Sequence, residues 1–126
     1  MRFALAFAVA ILCLAAGPST PVSAQQDELL AARTHGSPTA PVTVYEISDF
    51  QCPYCARFWI ETMPLLEREY VVPGKVKFVF VNFPLPMHAN AVPAAELAMC
   101  AARQGKFWPM HDVLFRNQAR WSGLSE

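Results

Sequence analysis

Neither sign of charge dominates this chain: ten Lys and Arg balance ten Asp and Glu, for a formal net charge of zero. Without a basic surplus there is no broad electropositive face for nucleic acid or anionic lipid. Glycine is scarce at five residues and histidine scarcer at three, and no internal repeat or low-complexity tract interrupts the 126 residues. That length leaves room for a single domain. The ligands of a closed zinc site are missing too. One Cys-x-x-Cys is present, but His35, His88, Cys100 and His111 are scattered and supply neither a second such pair nor a His pair.

Long apolar runs are confined to one place. Arg2 is followed by an unbroken apolar stretch, Phe3 to Ala16, of about 14 residues. This is too short to cross a hydrocarbon core of roughly 30 Å as a helix. Gly17, Pro18 and Pro21 follow, then the small-residue pattern Val22-Ser23-Ala24. A positive start, a short apolar core and a cleavage pattern predict a removable signal over residues 1–24. Cys13 follows Leu12, not a small residue, so it is not a lipoprotein-type site and leaves with the signal. The mature chain keeps Cys52, Cys55 and Cys100: one possible disulfide and one thiol over. Cys52 and Cys55 enclose too short a loop to staple a fold usefully, which favours chemistry over structure.

Residues 25–41 are polar and broken by Gly36, Pro38 and Pro41, and read as a lead-in that begins with a short helical piece over Asp27 to Arg33. Val42 to Ile47 is β-branched and aromatic with near-alternating polarity, a strand. From Cys55 to about Tyr70 the spacing turns helical, with Phe58, Trp59, Met63, Leu66 and Tyr70 mostly on one face. Pro64 inside that run predicts a kink, since good helix formers continue beyond it. After Pro73-Gly74, the almost continuously apolar Val76 to Phe83 reads as a strand covered on both faces. Strand, helix and strand make a βαβ unit with parallel strands. Further helices are predicted from about Asn90 to Gln104, stopped by Gly105, and from about Phe107, with Pro109 in the first turn.

Chemistry concentrates in Cys52-Pro53-Tyr54-Cys55, which follows a strand and opens a helix. The first-turn N–H groups of a helix lack intrahelical partners, and its dipole leaves partial positive charge there. A thiolate at Cys52 is stabilised by both, making Cys52 the nucleophile. Cys55, one turn further in, resolves the mixed disulfide, and Pro53 suits the first helical position.

Four blocks in order carry a family resemblance. Ala40 to Cys55, with Asp49-Phe50-Gln51-Cys52-Pro53-Tyr54-Cys55 at its end, resembles the active-site strand and loop of the DsbA-like branch of the thioredoxin superfamily. Glu61-Thr62-Met63-Pro64 resembles its kinked active-site helix, and Asn82 to His88 and Gln104 to Asp112 resemble the exit of the second strand and the inserted helices. The resemblance implies an α/β, thioredoxin-like fold with an inserted helical subdomain over residues 42–126, present as a βαβ unit plus helices with the C-terminal strands missing. The edge strand that this leaves implies a marginal or aggregation-prone product. It also implies an exported, periplasmic or secreted thiol–disulfide oxidoreductase with no organic cofactor. Exported protein substrates and a membrane or periplasmic redox partner follow from the same likeness; nucleic acid and a membrane span after signal cleavage do not.

Other residues have two readings each. Glu46 resembles the family's acidic residue near the active site, able to tune the thiolate, or is a solvated strand-edge carboxylate. Asp49 and Gln51 lie in the loop without an evident role. Tyr54 lacks the positive charge of the histidine found there in strongly oxidising relatives, so a less extreme potential than about −120 mV is expected. Cys100, in an Ala-rich helix, is expected to be a buried, inert thiol; the other reading is a second disulfide or a dimer-forming thiol. His88 is expected to pack or cap. Phe107, Trp108, Phe115 and Trp121 are expected to form the core of the helical subdomain, and Arg57, Arg116 and Arg120 to be solvated. Against the enzyme stand a non-catalytic or remnant thioredoxin-like binding module and, further off, a zinc-binding domain.

Overall fold

In a computed structural model of the chain, residues 22–124 are described. The signal predicted over residues 1–24 lies outside them except for its last three residues, which open helix α1 (Val22–Ala32). The remaining elements are β1 (Thr34–His35), β2 (Val42–Ser48), α2 (Pro53–Arg57), α3 (Met63–Leu66), β3 (Val76–Asn82), α4 (Ala91–Ala102), α5 (Phe107–Arg116) and α6 (Gln118–Trp121). Among the described residues, no helix is long and apolar enough to cross a membrane.

Strand β3 lies at the centre of a three-stranded sheet of order β1-β3-β2. β2 and β3 run parallel, in register from Val42↔Val76 to Ser48↔Asn82. The predicted βαβ unit is therefore present. Strand β1 was not anticipated within the lead-in; it pairs antiparallel to β3 through Thr34↔Val79 and His35↔Phe78. Two residues carry no readable periodicity, and Arg33 extends the pairing by exchanging bonds with Phe80: Phe80 N donates to Arg33 O (3.0 Å) and Arg33 Nη1 to Phe80 O (3.3 Å). Gly36, at φ +104°, lets the chain leave β1 tightly. A Cβ there would stand 2.9 Å from Val71 Cγ1 and 3.0 Å from the Val76 carbonyl oxygen.

The helical run after the cysteines is continuous but not uniform. Two wide turns of π-helix, Phe58–Thr62 and Glu67–Val71, alternate with α2 and α3. Pro64 stands at the start of α3, directly after the first wide turn, in which Met63 N reaches back five residues to Phe58 O. Proline supplies no N–H to the carbonyl four residues before it, and a π turn is one way for a helix to absorb that. Pro64 thus interrupts regularity without ending the helix, as its sequence context predicted.

Because register partners share a face, Val44 and Glu46 lie with Phe78 and Phe80 on one side of the sheet. The helical run covers that side: Met63, Val71 and Phe78 form one buried cluster, with Val44 and Phe58 packed against it. Tyr45 and Ile47, one residue out of phase on β2, are exposed.

A second cluster joins loop, sheet and helices: Phe50, Ala56 and Phe80 pack with Ala94, Ala98, Phe107, Leu114 and Phe115. The aromatic residues expected to form the core of the helical subdomain do pack in a core, and that core is continuous with the sheet. Phe107 and Phe115 are fully inside it, while Trp108 and Trp121 pack at its border. The short side chains of Ala94, Ala98 and Ala102 let α4 approach closely, and Cys100 points the other way. The expectation of a buried Cys100 is wrong: it is an exposed free thiol, because the buried alanines occupy the opposite face of α4. Gly105 ends the helix at φ +67°, with Lys106 N bonded to Ala101 O and Gly105 N to Ala102 O (both 2.9 Å), a Schellman stop.

Candidate active site

The site is built where β2 runs out. Past Ser48 the chain turns, closed by a bond from Cys52 N to Asp49 O (3.1 Å), and Cys52 becomes the N-cap of α2 at φ −71°, ψ 121°. Its carbonyl accepts the first intrahelical bond, from Ala56 N (3.1 Å). Pro53 occupies the first helical position, where its missing N–H costs nothing. Cys52 and Cys55 are half-buried free thiols, close enough for their sulfurs to interact. Burial pushes the Cys55 thiol above the ordinary cysteine range, and the neighbouring Cys52 adds to that, while a bond from the Asp49 backbone opposes it. Its burial thus favours the protonated form of Cys55.

Glu46 is not solvated. Trp59 Nε1 donates to its Oε1 at 2.6 Å, and Oε2 is buried with no hydrogen-bond partner among the described residues. Burial raises its carboxyl from 4.5 to about 7, against the stabilising bond from Trp59. Together with Ser48, Cys55 and Phe58 it lines a cavity of about 250 Å³ that opens beside Tyr54. Tyr54 is 71% exposed, and its ring carries the Arg57 guanidinium 5.1 Å from its centroid. Arg57 is exposed, as expected of a solvated charge, and it also stacks on the ring between the cysteines.

Asp49 had no evident role in the sequence, and it organises the loop. Its Oδ1 accepts Gln51 N (2.7 Å); its Oδ2 accepts Leu85 N (2.9 Å) and His88 Nδ1 (2.7 Å). His88 therefore fastens the loop, a packing role of the kind expected for it. Gln51 reaches the other way, donating to Ser122 O and accepting from Asn90 N (both 2.7 Å). Gln118 Nε2 donates to Phe50 O and Cys52 O. An acidic residue two positions before a turn N–H is a readable signal for the Asp49–Gln51 contact. The bonds from His88 and Gln118 span 39 and 66–68 residues, and no local pattern announces them. The structure brings Glu46, Cys52, Pro53, Tyr54 and Cys55 together and leaves Cys100 outside. Among the described residues, no group of three or more His, Cys, Asp or Glu is placed to hold a metal ion.

A strand that delivers two cysteines to a helix N-terminus beside a parallel neighbour defines a thioredoxin-like domain, and solved structures agree. A DsbA from Wolbachia pipientis, α-DsbA1, superposes with a TM-score of 0.62 at 26% identity, over 71% of this chain and 44% of that one. A thioredoxin family model matches residues 29–126, and the chain belongs to that family, in its DsbA-like branch. It is 35% identical over 86 residues to a probable disulfide bond formation protein D of Bacillus cereus, covering 68% of this chain and 40% of the relative. It is also 39% identical over 99 residues to a Na(+)/H(+) antiporter, NhaA 3, of Salinispora tropica, covering 78% of this chain but 14% of that protein. The chain thus spans less than half the length of these relatives.

Proposed function

We propose that this protein is an exported thiol–disulfide oxidoreductase that forms, reduces or exchanges disulfides in exported proteins through Cys52 and Cys55. The observation that carries the reading is the position of Cys52: N-cap of α2, next to unpaired first-turn N–H groups, with a protonated Cys55 one turn behind. In the reducing direction, the Cys52 thiolate attacks one sulfur of a substrate disulfide and releases the other as a thiolate. The Cys55 thiol then loses its proton and attacks Cys52 Sγ. The substrate's second sulfur leaves, the substrate is reduced and a Cys52–Cys55 disulfide remains. Run backwards, the same steps oxidise a substrate dithiol.

Glu46 serves the second step. A carboxyl at about 7 is poised to take and return a proton near neutrality, and it shares its cavity with Cys55. The two sulfurs carry the electrons, so no organic cofactor is required, and a periplasmic or membrane redox partner resets the pair. The resemblance of the disulfide bond formation protein D relative supports this reading.

Replacing Cys55 by Ser tests it. Expressed with its signal, Cys55→Ser should accumulate mixed disulfides with exported proteins, all cleaved by dithiothreitol and all lost in Cys52→Ser/Cys55→Ser. A Cys55→Ser protein that captures nothing would make the domain a passive binding module.

A further inference from the structure

The polar contacts of the loop are not equivalent, and one touches the nucleophile's own peptide. Gln118 opens α6, and both N–H groups of its side-chain amide are committed: one bond of 2.7 Å to Phe50 O and one of 3.0 Å to Cys52 O. Phe50 and Cys52 are the alternate carbonyls of the turn that presents the cysteine. Each end of this bridge is rigid. The Phe50 ring is 1% exposed and stacks on Phe80 at 4.9 Å. Helix α6 is tied to α5 by Trp121 Nε1 bonded to Leu114 O (2.8 Å). Asn90 Nδ2 holds the chain beyond α6 through Leu124 O (2.8 Å).

We infer that Gln118 is a positioning residue for the redox reaction: its amide clamps the Phe50 and Cys52 carbonyls and thereby sets the balance between the dithiol and disulfide states. The inference rests on the reading of Cys52–Cys55 as a redox pair. Two physical effects point the same way. The clamp fixes Cys52 in the extended N-cap conformation that places it against the unpaired N–H groups of α2. It also draws partial negative charge from two carbonyl oxygens close to where the thiolate charge forms, since a carbonyl has two lone pairs and the Cys52 oxygen uses both, for Ala56 N and Gln118. Both effects favour the thiolate, hence the dithiol form. Removing the amide makes the pair a weaker oxidant. The bond partners come from α6 and the loop, so the helical layer takes part in tuning the cysteines as well as covering the sheet.

Gln118→Leu keeps the side chain's size and removes its donors. The whole chain, without its signal-dependent export, is equilibrated with glutathione and its disulfide; free thiols are counted by alkylation and mass, and the rate of Cys52 alkylation by iodoacetamide is followed at pH 7. The equilibrium constant for reducing the protein disulfide with two glutathione molecules should fall about three- to tenfold, the worth of one ordinary hydrogen bond. Cys52 should alkylate more slowly. Trp121→Phe loosens α6 from α5 without touching the loop carbonyls, and should lower the melting temperature with the constant unchanged. An unchanged constant in Gln118→Leu, or an equal shift in Trp121→Phe, overturns the inference. If Gln118→Leu does not fold, Gln118→Glu, of equal length but unable to donate when ionised, replaces it with the same predicted sign. A wild-type protein that fails to exchange with glutathione at all overturns the redox reading itself, and this inference with it.

Discussion

Residues 49–55 and helices α4 and α5 lie against the same aromatic core, and Phe50 belongs to both, yet the two regions are held by different forces. The loop is fixed by directional bonds from distant side chains: His88 to Asp49, Gln118 to Phe50 and Cys52, and Gln51 to Asn90 and Ser122. Around α4 and α5 the core contacts are apolar packing, with directional bonds such as Trp108 Nε1 to Thr34 O and Trp121 Nε1 to Leu114 O at the border. Alanines give close approach on α4, and Phe80, Phe107 and Phe115 close around His111. Burial of apolar surface gives stability but tolerates small shifts of position. Hydrogen bonds add little net energy but fix where atoms sit. The molecule thus separates what keeps it folded from what fixes the cysteine loop.

Each region also hides one titratable group, and the two oppose each other. Glu46 sits under the loop with its carboxyl raised from 4.5 to about 7. His111 sits in the helical layer, 1% exposed, its imidazole lowered from 6.5 to about 4 by burial, with the bond to Asp112 acting against that. Its Nδ1 meets Asp112 Oδ1 at 3.0 Å, and the Trp59 ring stands edge-on with centroids 4.3 Å apart.

The comparison can be broken most completely at the loop. Cys52→Ser should abolish disulfide exchange, measured as turnover of a model disulfide substrate, while leaving the melting temperature close to wild type. Phe80→Ala in the shared core should do the reverse to stability, costing about 3–5 kcal/mol in urea denaturation; Phe80 is completely buried and touches both regions.

The buried titratable groups sharpen the picture through pH. Native His111 stays neutral where the unfolded chain has already taken a proton. Its contribution is full above about 6.5 and is lost as pH falls through about 4, some 3 kcal/mol in all. Glu46 works the other way: its native carboxyl keeps a proton that the unfolded chain gives up. That contribution is full below about 4.5 and is lost as pH rises through about 7, again about 3 kcal/mol. In wild type the two slopes offset between about pH 4.5 and 6.5, leaving a flat profile. Glu46→Gln should uncover the His111 slope, so that stability rises with pH over that window in urea titrations. A Glu46→Gln profile as flat as wild type would show that His111 is not buried as a neutral ring. The smallest effect is expected for Trp59→Phe, which removes the 2.6 Å bond to Glu46 and should cost about 1 kcal/mol.

How much of this was legible in the sequence follows the same division. Strands β2 and β3, their parallel pairing, the helix that passes Pro64 and the stop at Gly105 are written in local periodicity and turn chemistry, and the structure has them. The Cys52-Pro53-Tyr54-Cys55 motif is equally plain, whereas Glu46 stands out only through the family resemblance, with a solvated strand-edge carboxylate as the other reading. Strand β1 was missed because two residues show no period and owe their conformation to β3. Cys100 was misplaced because an alanine-rich helix has weak amphipathic contrast, so composition could not tell which face was inside. The helical layer looked like a subdomain with its own core because sequence order does not reveal that Phe107 and Phe115 meet Phe80. The clamps from His88 and Gln118 join residues far apart in the chain, and only the fold brings them to the loop.

The most direct test of the account is the reduction potential of the Cys52–Cys55 pair. The purified protein is equilibrated across a series of glutathione buffers, quenched by alkylation and weighed. The account predicts one reversible two-electron transition, confined to Cys52 and Cys55, at a potential above the glutathione couple and below about −120 mV in oxidising strength. Cysteines that stay fully reduced in every buffer, or a transition that involves Cys100 instead, would contradict it.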